Sequence, residues 1–75
     1  MGRKVIGVKI NRKLMREIRE EKGWRQRDVG NYVGYVESRI SQVETGHSSS
    51  IPLDALKRIA EFLEIDYRIL LLEEV

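Results

Sequence analysis

Cysteine is absent from these 75 residues, which removes disulfides, thiolate metal sites and cysteine nucleophiles together. A domain of this size without disulfides fits a reducing compartment. Histidine occurs once, as His47, with no other metal-type ligand grouped beside it, so neither a metal nor a cofactor is expected. Apolar runs are short. The longest, residues 69–72, falls far below the ~20 residues needed to cross a bilayer. The first ten residues are too polar for the apolar core of a secretory signal. These absences point to a cytoplasmic protein with no membrane partner. A single domain this small buries only about 60% of its unfolded surface and has no room for a cleft between domains. No nucleophile–base pair or glycine-rich phosphate loop is present, and an enzyme is not expected.

What the chain does have is charge, unevenly placed. Residues 1–27 carry ten cations against three acids, a balance of +7. Residues 28–75 carry four cations against nine acids, a balance of −5, which together give the net +2. This asymmetry implies a basic face suited to a polyanion and an acidic face turned to solvent.

The apolar pattern predicts an all-α fold, a compact bundle of four to five short helices. Residues 1–10 read as a basic arm, with Ile6, Val8 and Ile10 alternating as in a short strand. The domain proper spans 11–75. Asn11 is a good cap for a first helix running to about residue 22, with Gly23 after it. A second helix is expected over 25–33, and Gly34 supplies a tight turn. A third over 37–45 would point Val36, Ile40 and Val43 inward and close at Gly46. Pro52 suits the start of a fourth helix, where Leu53, Leu56, Ile59, Ala60 and Leu63 make an apolar stripe. Residues 66–73 read as a fifth short helix, with a strand as the second choice. Two short helices joined by a three- or four-residue turn, as over 25–45, make a helix-turn-helix unit.

The outward face of the third helix is unusual in composition. Glu37, Ser38, Arg39, Ser41, Gln42 and Thr45 remain once the inward residues are removed. A merely solvated face favours Lys, Glu and Ala, whereas Ser and Thr compete for backbone groups and disfavour helix interiors. Short hydrogen-bonding side chains with Gln and Arg are what reading base edges in a major groove requires. Two charges also fall within apolar stripes: Arg19 follows Met15 by four residues, and Glu44 follows Ile40 by four. Unpaired, each would cost several kcal/mol in order of magnitude, so an Arg19–Glu44 ion pair joining the first and third helices is predicted.

With these residues in view, the stretch 14–71 resembles the phage repressor/Cro-type, or lambda-repressor-like, helix-turn-helix domains. The matching residues run Ile18-Arg19-Glu20-Glu21-Lys22-Gly23-Trp24-Arg25-Gln26, then Val29-Gly30, Val33-Gly34 and Ile40-Ser41-Gln42-Val43-Glu44-Thr45-Gly46. Pro52-Leu53-Asp54-Ala55-Leu56-Lys57-Arg58-Ile59-Ala60-Glu61-Phe62-Leu63 completes the pattern, which covers about three quarters of the chain without a gap. The resemblance implies that Val36, Glu37, Ser38, Arg39 and Gln42 read bases. It implies that Gln26 holds a phosphate and buttresses the start of the reading helix. Arg25, Arg27, Ser41, Thr45, Gly46, His47 and Ser48 would meet the DNA backbone, and the Arg19–Glu44 pair matches the family's structural bridge.

Four departures from the family pattern matter. Val36 stands where a Ser or Thr cap is usual, and could instead touch a thymine methyl. Gly30 replaces a common Ala, which should cost about 1 kcal/mol of helix stability. Glu37 is unfavourable near phosphates but can accept from cytosine N4. Arg25 replaces a capping Ser or Thr. Trp24, where the family has Leu, is expected in the core. Tyr32 and Tyr35 are read as packing or backbone contacts. Arg3 and Lys4 could follow the backbone or enter a groove.

Since one good bidentate base contact discriminates by only ~1–3 kcal/mol, a homodimer on a near-palindromic site is expected. Tyr67, Ile69, Leu70, Leu71 and Leu72, with Ile65 and Val75, are the predicted interface. Double-stranded DNA is thus the expected partner, with RNA polymerase blocked or contacted at a promoter, repression being the favoured outcome. The rival readings are an antitoxin or other protein-interaction module on the same fold, and a restriction–modification controller.

Overall fold

The computed structural model describes residues 7–46 and 50–74, the last two by backbone alone. Arg3, Lys4, Ile6, His47, Ser48 and Val75 lie outside the described residues, so the expectations attached to them stand as sequence readings.

Helix α1 (Arg12–Glu21) begins where Asn11 Oδ1 accepts the Leu14 backbone N–H at 3.1 Å, which satisfies one of the unpaired donors of the first turn. Helix α2 (Gln26–Val33) starts without a side-chain acceptor from its own cap residue. Instead the Asp28 carboxylate reaches back to the Arg25 backbone N–H at 2.8 Å. Helix α3 (Glu37–Thr45) ends at Gly46, and α4 (Leu53–Leu63) follows directly on Pro52. These four helices occupy the expected segments to within a residue or two.

The chain ends differently from the first expectation. After α4 comes a single 3₁₀ turn (Tyr67–Ile69), capped by Asp66 accepting from the Arg68 N–H at 2.9 Å. Then the chain extends into a strand, β3 (Leu71–Glu74), rather than a fifth helix. An Ile-Leu-Leu-Leu run has no periodicity with which to choose between helix and strand. The choice is made by β1 (Gly7–Ile10), whose backbone donors and acceptors need partners on both sides. β1 is the middle strand of an antiparallel sheet ordered β2-β1-β3, where β2 is Ile51–Pro52. Val8 opposes Ile51 on one side and Glu74 on the other, with an irregularity between Lys9 and Ile10 opposite β3. Residues 7–10 are therefore the strand that the alternation of Val8 and Ile10 predicts.

Val8 and Ile10 turn into the core while Lys9 faces out, the alternation expected of a half-buried strand. They meet Met15, Val29, Ile40, Val43, Leu56, Ile59 and Leu63 in one apolar cluster. Leu70 joins them fully buried, and its carbonyl accepts the Asn11 N–H at 2.8 Å. Burial of a leucine contributes about 1.5–3 kcal/mol, so Leu70, expected at a dimer interface, instead packs inside the chain's own core. Ile69 and Leu72 stay exposed, at 52% and 63%, while Tyr67 and Leu71 are half-buried.

Trp24 also departs from expectation. It is 41% exposed and lies over the Phe62 ring at 4.8 Å, with Tyr32 on the same ring at 5.2 Å. The three rings seal the outer seam between α2 and α4, where the Tyr32 hydroxyl donates to Glu61. That bond raises the Tyr32 pKa, because ionisation would place two negative charges together.

Candidate nucleic-acid interface

The turn between α2 and α3 decides what α3 can present. Gly34 takes φ of 85°, the left-handed region that favours glycine. The N–H groups of Gly34 and Tyr35 both return to the Gly30 carbonyl, at 2.8 and 2.9 Å. This reversal folds the chain so closely that a methyl placed on Gly30 would collide with the Tyr35 carbonyl oxygen. Gly30 is thus required by backbone approach, a tertiary contact invisible in a helical pattern that reads it only as a weak helix former.

Beyond the turn, α3 buries Ile40 and Val43 completely or nearly so. Glu37, Ser38, Arg39, Gln42 and Thr45 are exposed along the opposite side, with Ser41 half-buried at the flank. Val36 does not point inward. It is 69% exposed as the residue before the helix, where its extended backbone (φ −70°, ψ 156°) turns the side chain to solvent. An apolar group therefore stands at the leading end of a row of short polar ones. Arg39 lies over the Tyr35 ring at 4.9 Å, a cation–π contact that holds its stem against the turn.

The other end of α3 is fixed from behind. Arg19 donates through Nε to Glu44 Oε2 at 2.6 Å and through Nη2 to Oε1 at 3.0 Å, a two-pronged pair. Its Nη1 donates to the Trp24 carbonyl at 2.8 Å, so the guanidinium also holds the loop between α1 and α2. Gln26 Nε2 donates to Glu44 Oε1 at 3.1 Å. The Glu44 side chain is almost wholly buried, and no buried side-chain polar atom among the described residues lacks a partner. Gln26, in the first turn of α2, therefore buttresses the last turn of α3, not its start: Glu44 is the last residue but one of that helix. Arg25 and Arg27 flank it, both exposed.

Sequence reasoning missed two members of this site: the Trp24 carbonyl and Gly30. Neither has a side-chain signature, because one acts through its backbone and the other through the absence of a Cβ. Among the described residues no group of three or more His, Asp or Glu could hold a metal ion. No described helix is long and apolar enough to cross a membrane.

The family model for the helix-turn-helix proteins of the Cro/C1 type (HTH_3) matches residues 15–70, which takes in all four helices but for the first residues of α1. The chain belongs to this helix-turn-helix family. Helix α3 is its second helix-turn-helix element, and the family is one of DNA-binding transcription regulators rather than enzymes. The fold is similar to that in the crystal structure of SinR, the master regulator for biofilm formation, in complex with DNA. The TM-score is 0.70 at 18% identity, covering 76% of this chain and 90% of that one. No curated protein sequence matches the chain.

Proposed function

We propose that this helix-turn-helix protein binds double-stranded DNA sequence-specifically, as a homodimer on a near-palindromic operator, and represses transcription there. The observation that carries the reading is the division of α3. Ile40, Val43 and the buried Glu44 carboxylate hold one side, while Glu37, Ser38, Arg39 and Gln42 are exposed on the other. A helix held at its far end by the Arg19 and Gln26 contacts enters a groove as a rigid rod. Its base contacts then need no further ordering on binding. Gln42 suits bidentate pairing with adenine, Glu37 suits cytosine N4, and the exposed Val36 suits a thymine methyl.

Arg25, Arg27, Thr45 and Gly46 flank this face and are the proposed phosphate contacts, fixing register without reading sequence. Gln26 contributes indirectly, since one of its amide hydrogens is committed to Glu44. Dimerisation falls to two exposed apolar residues, Ile69 at the end of the 3₁₀ turn and Leu72 in the edge strand β3. Occupancy of a promoter by such a dimer, in the cytoplasm, would block RNA polymerase.

Selection of bound sites from random duplex DNA tests the reading. A palindromic consensus with half-sites one helical turn apart, about 34 Å, is the expected result. Gln42→Ala should then relax preference at one position in each half-site, whereas Gln26→Ala should weaken all sites alike. Failure to enrich any sequence would refute the proposal.

A further inference from the structure

Helix α1 opens in a way that works against itself. Arg12 and Lys13 occupy its first turn, and no acid accompanies them there, although the N-terminal end of a helix disfavours cations. Both side chains are exposed, and among the described residues neither has an ion-pair partner. Arg12 does not simply extend into solvent. Its guanidinium lies against the end of α3, where a methyl placed on Gly46 would come 2.9 Å from its Cζ.

Between the start of α1 and the end of α3 lies a notch of about 380 Å³, lined by Asn11, Arg12, Lys13, Arg16 and Thr45 among others. One acid, Glu44, reaches its wall, and that carboxylate is already taken by Arg19 and Gln26. Arg16 is partly engaged by Glu20 at 3.4 Å on the surface. The notch is therefore cationic, and it adjoins the end of α3 at which Thr45 and Gly46 are proposed to meet the DNA backbone. We infer that it is a second phosphate site, in which Arg12 and Lys13 take a backbone phosphate of the duplex that α3 reads. This inference rests on the reading of α3 given above. It explains why two cations stand where the helix dipole opposes them.

Arg12 could alternatively serve the fold, as counter-charge to the C-terminal end of α3, and the test separates the two roles. Affinity for the selected duplex is measured over a series of salt concentrations for the wild type, Arg12→Gln, Lys13→Gln and the double variant. Arg58→Gln, outside the notch and near Tyr32, is the control, and Tm is recorded for each. Each lost phosphate contact should reduce the slope of log K against log salt by about 0.9. The double variant, losing one phosphate in each half-site of the dimer, should therefore lose about 1.8, with specific and non-specific duplexes weakened alike and Tm held or raised. An unchanged slope with a lowered Tm would overturn the inference and leave Arg12 a structural counter-charge. An equal loss of slope in Arg58→Gln would also overturn it, by showing that only net charge matters. A wild-type protein with no salt-dependent affinity for any duplex would instead sink the reading of α3 itself.

Discussion

Removing Glu44 should cost this domain much of its stability, while removing Glu44 and Arg19 together should not. In Glu44→Ala the Arg19 guanidinium, a residue only 8% exposed, keeps the Trp24 carbonyl and an acid oxygen of Glu20 at 3.9 Å. Two of its donors and one amide hydrogen of Gln26 lose their acceptor. Breaking a buried ion pair from one side typically costs about 3–5 kcal/mol. A chain of this length has about 4–11 kcal/mol in all, at roughly 0.05–0.15 kcal/mol per residue. With a urea slope near 1 kcal/mol/M for so small a domain, the midpoint should fall by about 3 M or more.

The double replacement Arg19→Met with Glu44→Leu removes both charges and fills the same space. Such exchanges are often neutral or stabilising by about 1–4 kcal/mol. Urea denaturation followed by far-UV circular dichroism of the wild type, Arg19→Met, Glu44→Leu and the double variant closes the cycle. A Glu44→Ala midpoint within about 0.5 M of wild type would refute the argument that this pair is buried and structurally required. The double variant has a second use. It should fold yet bind its operator less tightly, because Gln26 and the Trp24 loop no longer hold the last turn of α3 in place.

Three further outcomes follow from single positions. Gly30→Ala, which in an open helix would stabilise by up to ~1 kcal/mol, should instead lower stability by about 1–3 kcal/mol through the clash with the Tyr35 carbonyl; a raised Tm would show that the turn yields freely. Asp66 is held down to about 2 from the usual 3.8, by hydrogen bonds from the Arg68 side chain and then its backbone. Because the folded value lies below the unfolded one, its small contribution is complete above about pH 4 and is lost as pH falls through about 2. Carbon NMR titration should find that midpoint, and Arg68→Ala should move it up towards 3.8. Glu64 holds a left-handed conformation (φ 60°) at the end of α4, so Glu64→Gly should stabilise by about 0.5–1 kcal/mol once the entropy of the unfolded glycine is deducted; thermal unfolding reads the sign directly.

The residues that sequence alone placed well are those whose roles are local or periodic. Asn11, Gly34 and Gly46 mark ends because capping and positive φ are properties of one or two residues. Ile40 and Val43 face inward because a helix repeats every 3.6 residues. Arg19 and Glu44 were legible as partners because two charges in apolar stripes need each other. The outward row from Glu37 to Gln42 was legible by subtraction, and the family resemblance lent it a role.

What the pattern could not decide depended on contacts made only once the chain had folded back on itself. The run from Ile69 to Leu72 became turn and strand because β1 lay beside it with unpaired backbone. Trp24 stayed at the surface because Phe62 and Tyr32 offered it an outer seam instead of a place among the core aliphatics. Gly30 became indispensable through a carbonyl five residues away that the turn folds back on it. Gln26 was drawn to the end of α3 because the Glu44 carboxylate, buried there by the fold, had an oxygen to share. Periodicity and capping act over one or two turns of chain, and so a sequence carries them openly; pairing and burial exist only after the chain has brought its separate parts together.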